Sequence, residues 1–74
     1  MQVMLTVILC SMLELECMAP YTFTERYKDM YTCMLDGYEK SADKIKELGK
    51  RIVNGELLFI RFRCTQIPNE EKGA

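Results

Sequence analysis

Apolar and polar positions along the chain fall into three patterns, and each predicts one kind of element. Residues 3–9, Val-Met-Leu-Thr-Val-Ile-Leu, place Val3, Leu5, Val7 and Leu9 on one face of an extended segment and Met4 and Ile8 on most of the other. A strand with one wet face alternates apolar and polar residues, so this run predicts a strand covered on both faces at the centre of its sheet. It is too short to span a bilayer. Leu13, Leu15 and Cys17 then alternate with Glu14, Glu16 and Met18, which predicts a second strand with acids on one face. Too few residues separate the two for a crossover, so they pair antiparallel and turn near residues 11–13. Pro20 ends the second strand, and Tyr21 and Phe23 lead into Thr24 as a helix N-cap.

From Thr24 the apolar residues fall at Tyr27, Met30, Tyr31, Met34, Tyr38, Ala42, Ile45 and Leu48, at spacings of three and four. This is the signature of an amphipathic helix with those residues toward the core. Gly37 weakens it internally and Gly49 stops it. A helix over 24–48 is about 37 Å long, close to the roughly 33 Å of a ten-residue strand. Asn54-Gly55 is a turn signal, ending a short extension or closing a small hairpin that begins at residues 51–53. Residues 56–67 predict a third strand, with Leu58, Ile60, Phe62 and Cys64 on one face and Leu57, Phe59, Arg61 and Arg63 on the other. Pro68 closes it.

These elements assemble as an α+β domain, strand–strand–helix–strand. The right-handed crossover rule gives a three-stranded, mainly antiparallel sheet in the order 2-1-3, with one long amphipathic helix on one face. Residues 1–68 form this single small domain and 69–74 a flexible C-terminal tail. The uncovered face then presents Met4, Ile8, Leu57 and Phe59 beside Arg61 and Arg63, and an exposed apolar patch of this kind marks a partner site.

Composition sharpens the picture in two places. At 74 residues the chain is near the lower limit for folding on its own core, so a staple or a partner is expected. Its charge is −1 overall but uneven: residues 1–39 carry six acids against Arg26 and Lys28, and residues 40–63 carry seven bases against Asp43, Glu47 and Glu56. That argues against nucleic-acid binding driven by overall charge. Lys40, Lys44, Lys50 and Arg51 alternate with Glu39, Asp43 and Glu47, the pattern of a solvated helix face rather than a phosphate site. Tyr21, Tyr27, Tyr31 and Tyr38 read as core edge, not as a base-stacking platform. A secretory signal is disfavoured, because no Lys or Arg precedes the apolar run and Glu14 and Glu16 fall where a cleavage site is small and neutral. The chain has no apolar stretch that predicts a membrane span.

Catalytic chemistry finds little footing. There is no histidine, no Cys-x-x-Cys, no Gly-rich phosphate loop and no nucleophile motif. The acids Glu14, Glu16, Asp36 and Asp43 are spaced as solvated faces, and no cofactor, catalytic or metal site is expected. Cys10, Cys17, Cys33 and Cys64 are separated by six, fifteen and thirty residues, which matches no common zinc module. In the 2-1-3 sheet, strands two and three lie about 9.6 Å apart, beyond disulfide reach, which excludes Cys17–Cys64. Cys33 sits on the flank of the helix toward strand two, so Cys17–Cys33 is the favoured pair if any forms. In a cytoplasmic protein all four are instead reduced, small apolar core residues, and that reading is preferred.

Several short motifs together resemble a known group. Met1-Gln2-Val3-Met4-Leu5 running to Cys10, Cys17 with an apolar follower, Tyr21 and Thr24-Glu25 ahead of Cys33, and Arg63-Cys64 late in the final strand resemble small accessory proteins, of uncharacterised activity, encoded by tailed phages of marine bacteria. The chain departs from that pattern after Cys33, where Met34-Leu35 replaces an Arg-Ala pair. The resemblance implies a phage accessory protein acting in the host-cell cytoplasm and carries no activity over to any residue. The sequence therefore points to a non-catalytic binding protein, an inhibitor or sequestering module for a host component. Its partner on the open sheet face is a host protein or a second copy of the chain. Two alternatives remain: a thiol-based or other small enzyme, and a secreted domain stapled by disulfides.

Overall fold

The computed structural model describes residues 2–67. It is an α+β fold with strands β1 (Gln2–Ser11), β2 (Glu16–Cys17), β3 (Tyr21–Tyr27) and β4 (Leu58–Ile67), and helices α1 (Met30–Leu48) and α2 (Lys50–Glu56). β1 is the central strand, with β2 and β3 along one edge and β4 along the other, all antiparallel to it. The doubly apolar run thus occupies the middle of the sheet, where both its faces are sheltered. The tail expected over 69–74 lies outside the described residues.

Three elements differ from the sequence expectation, each for a local reason. The second strand shrinks to two residues, because the chain turns over residues 12–15 with Leu15 in the left-handed region at φ 58°. Ser11 organises this turn: its Oγ accepts from the Glu14 N–H at 3.1 Å and donates to the Glu56 carbonyl at 2.8 Å. A hydroxyl that satisfies backbone groups in this way stands in for a Gly or Asn signal.

The segment expected to open the helix is instead strand β3. Tyr21, Phe23 and Tyr27 are aromatic, and Thr22 and Thr24 β-branched, so the stretch fits a pleated surface better than a helical turn. A bulge between Met4 and Thr6 lets three residues of β3 oppose Leu5 alone, which moves Phe23 and Tyr27 onto the core side. The helix begins only after Asp29, whose carboxylate caps it by accepting from the Thr32 N–H at 2.8 Å. α1 is therefore 19 residues, about 28 Å long. Gly49 ends it at φ 93°, with its N–H on the Ile45 carbonyl. Asn54-Gly55 makes no hairpin but lies in the last turn of α2, which closes on Leu57 in the left-handed conformation at φ 54°.

The face that α1 turns to the sheet is also not the expected one. Cys33 and Gly37 are buried, whereas Met30, Tyr31, Met34 and Tyr38 remain exposed. The helix presents small residues to a sheet lined with large ones. A Cβ on Gly37 would overlap the Phe62 ring at Cε2, so glycine is what lets the backbone ride directly on that ring. Tyr38 then meets Phe62 edge-on at 4.7 Å between centroids. The core is correspondingly small: Val3, Leu5 and Cys33 are fully enclosed, with Val7, Phe23, Tyr27, Phe62 and Cys64 packed around them.

Two disulfides staple this core, Cys10–Cys17 and Cys33–Cys64. The expected Cys17–Cys33 pair is not formed, and none of the four thiols is free. The reason is strand parity. Cys17 lies directly opposite Cys10 in the β1–β2 ladder, on the side of the sheet shared by Met4, Thr6 and Ile8. Cys64 lies opposite Leu5, on the helix side, within reach of Cys33. Cys17 and Cys33 are thus on opposite faces of the sheet.

Candidate interaction face

The face of the sheet away from α1 can be built row by row from the strand registers. Arg26, Met4 and Thr65 form one row, Thr22, Thr6 and Arg63 the next, then Ile8 with Arg61, and finally Cys17, Cys10 and Phe59. Of the residues expected here, Met4, Ile8, Phe59, Arg61 and Arg63 do share this face. Leu57 does not: it precedes β4 as the cap of α2, 47% exposed at the end of the sheet.

The apolar floor is more sheltered than the sequence suggests. Thr6 is only 4% exposed and Cys10 2%, and Met4 and Ile8 are half-buried, although no helix covers them. Thr6 and Thr22 exchange a hydroxyl hydrogen bond of 2.9 Å. Long side chains flank it in register: Arg63 stands opposite Thr6, Arg61 opposite Ile8 and Phe59 opposite Cys10, and arginine stems cover apolar surface while their charged ends stay in water. Arg26 joins them, although the apolar spacing from Thr24 places it in a helix. Its Nη1 reaches back to the carbonyls of Phe23, Thr24 and Glu25 at 3.2–3.4 Å. No acid lies in these rows, and among the described residues no carboxylate forms an ion pair with any of the three arginines.

The acids nearest in sequence are instead committed to the other layer. The Tyr27 hydroxyl donates to Asp36, and Lys40 Nζ bridges Asp36 at 3.1 Å and Glu25 at 3.4 Å. Burial, reinforced by Asp36, pushes the Tyr27 hydroxyl well above the usual phenol range. The Tyr27 hydrogen bond holds the Asp36 carboxyl below the usual carboxylate range, and Asp36 in turn raises the Lys40 ammonium. This cluster ties α1 to β3, and it came together only because residues 21–27 are a strand.

Among the described residues no group of three metal-capable side chains converges, and no helix is long and apolar enough to cross a membrane. What the open face offers is chemistry of recognition: guanidinium groups with five donors each, fixed on a rigid ladder around an apolar floor. No protein-family model matches the chain, and no curated protein or solved structure matches it.

Proposed function

We propose that this chain is a disulfide-stapled, non-catalytic binding domain that takes an acidic protein surface onto its arginine-bearing sheet face. The observation that supports this most is the pairing of Arg61 and Arg63 with the Met4, Ile8 and Phe59 floor in rows that contain no acid. A partner carrying carboxylates around an apolar centre complements both features, and charge of this kind sets orientation and association rate. A second copy complements it poorly, since a twofold axis through the face opposes arginine to arginine. The resemblance to phage accessory proteins suggests a host component as the partner, inhibited or sequestered. The two disulfides favour an oxidising compartment over the cytoplasm. Thiol catalysis would require one of them to be reduced first, as all four cysteines are bonded.

The test is an NMR titration of the isotope-labelled protein with a peptide of alternating glutamate and leucine. Shifts should centre on Met4, Ile8, Phe59, Arg61 and Arg63 and fade as salt screens the charges. The R61E/R63E variant should bind at least about tenfold more weakly. Shifts confined to α1, or equal binding by the variant, would overturn the reading.

A further inference from the structure

The helix layer contains a second concavity that plays no part in the arginine face. A cleft of about 390 Å3 opens between α1 and the β3 side of the sheet, floored by Val7, Leu9 and Ile60, walled by Phe23 and Met18 and roofed by Ser41 and Lys44. Its origin is mechanical. Cys33–Cys64 and the Gly37 notch over Phe62 hold α1 above β4 and β1. One turn further along, the inward position is Ser41, too small to fill the space on the β3 side. The volume falls in the range of small-molecule sites, about 300–1,000 Å3.

We propose that this cleft binds a single-chain organic anion, a medium-length alkyl chain with a carboxylate or similar head group. The floor and walls are aliphatic and aromatic, which suits the chain, and the polar groups lie at the helix rim. Lys40 is not the anchor: it is held by Asp36 and Glu25 and lies 5.2 Å from the centre of the Phe23 ring. Lys44 is available. Its side chain is 52% exposed and its contact with Glu47 is a solvent-facing pair at 3.2 Å, an interaction weak enough to be exchanged for a ligand. Ser41 supplies the second, independent sign. Its Oγ is closed off from solvent and has no hydrogen-bond partner among the described residues. A polar atom left unpaired in an apolar wall is costly to the free protein. It stands one turn from Lys44, so an anion drawn to that ammonium comes within reach of the hydroxyl once the lysine stem swings aside. An acidic peptide is excluded as the occupant by the same lining, because among the described residues it offers, beside the committed Lys40, only Lys44 as a cation around a mostly apolar interior.

The probe is decanoate, with decanol as its uncharged counterpart, titrated into the full chain below micelle-forming concentrations and followed by calorimetry and by tyrosine fluorescence, to which Tyr21 at the border of the cleft contributes. Saturable one-to-one binding of decanoate is expected. Ser41→Leu fills the cleft and should abolish binding while leaving the melting temperature equal or higher, which separates loss of the site from loss of the fold. Lys44→Glu should weaken decanoate at least about tenfold and leave decanol nearly unchanged. The R61E/R63E variant should bind decanoate as wild type does, so this inference and the arginine-face reading fail separately. Vesicles of phosphatidylglycerol serve as the control for a lipid source of the same chemistry. Binding to vesicles without binding to decanoate, undiminished binding by Ser41→Leu, or no saturable binding at all would each overturn the proposal.

Discussion

Gly37 and Gly55 are the same residue type in successive helices, α1 and α2, and their surroundings predict opposite responses to alanine. At Gly37 a methyl group meets the Phe62 ring, which is itself pinned by Tyr38 and the core. Alanine gains about 1 kcal/mol in helix propensity, but overpacking costs about 1–3 kcal/mol, so Gly37→Ala should destabilise. At Gly55 the added methyl meets nothing within 4 Å, and Gly55→Ala should stabilise by about 0.4–1 kcal/mol. Urea unfolding of the two variants decides the point; a gain at both positions would mean that Phe62 is free to move. Neither role was visible in the sequence, where Gly37 reads as a flaw in a helix and Gly55 as half of a turn. Which glycine touches something depends on what the strand opposite presents, and that is tertiary information. Tyr27 adds a pH dependence at the same scale. Its hydroxyl ionises only at a pH well above its usual value near 10, so the stability it supplies is complete below pH about 10 and is lost as pH rises toward the folded-state value. Asp36 acts in the other direction: its folded-state pKa is lowered, so its contribution is complete above pH about 4 and is lost as pH falls through that lowered value. Tyr27→Phe should flatten the alkaline limb and also shrink the acid one, because it removes the main cause of the Asp36 shift.

At the scale of elements, the two staples are not equivalent. Cys33 and Cys64 are 31 residues apart and tie a helix to an edge strand, whereas Cys10 and Cys17 are seven apart and close a hairpin. Loop-closure entropy then assigns about 3.7 kcal/mol to the first and about 2.5 kcal/mol to the second. C33A/C64A should therefore be the more destabilised double variant in denaturant titration. The reverse order would show that the hairpin retains more of the fold's cooperativity than chain entropy allows. The sequence made the central strand, the long helix and the last strand legible, because each carries a sustained hydrophobic period. It did not make β3 legible, since Thr24 and Asp29 are both competent caps and only the aromatic alternation from Tyr21 favours the later start. That one misplacement propagated. With the helix begun at Thr24, Arg26 leaves the sheet and the Tyr27–Asp36–Lys40 cluster has no reason to form, and with Phe23 in a connection the cleft beneath Ser41 lacks its wall. The cysteine pairing failed for a related reason: it depends on which face of the sheet each sulfur occupies, and a shift of one residue in the first hairpin reverses that face for Cys17.

For the whole molecule, the charge pattern read from the chain becomes a difference between layers. Of the acids of the first half, Glu25 and Asp36 are gathered with Lys40, Asp29 caps α1, and Glu14 and Glu16 stand in the β1–β2 hairpin, while Arg26, Arg61 and Arg63 share rows of the opposite surface that contain no acid. This layering bears on the proposed interface, for which a second copy and an acidic protein make opposite demands. A twofold contact through the face would bury Phe59, Met4 and Ile8, but Met4 and Ile8 are already half-covered and Phe59 is only 37% exposed. The apolar gain is thus smaller than for a bare sheet, and it is set against arginines opposed across the axis. Wild-type chain should accordingly sediment as a monomer at micromolar concentration. Reversing one charge should change that: in Arg61→Glu each face carries a glutamate beside Arg63, so two copies become complementary, and dimer should appear at low salt and dissolve as salt is added. If wild type is already a dimer that Phe59→Glu disperses and Arg61→Ala spares, the arginines stand at the rim of a self-contact, and the acidic partner must be sought elsewhere on the surface.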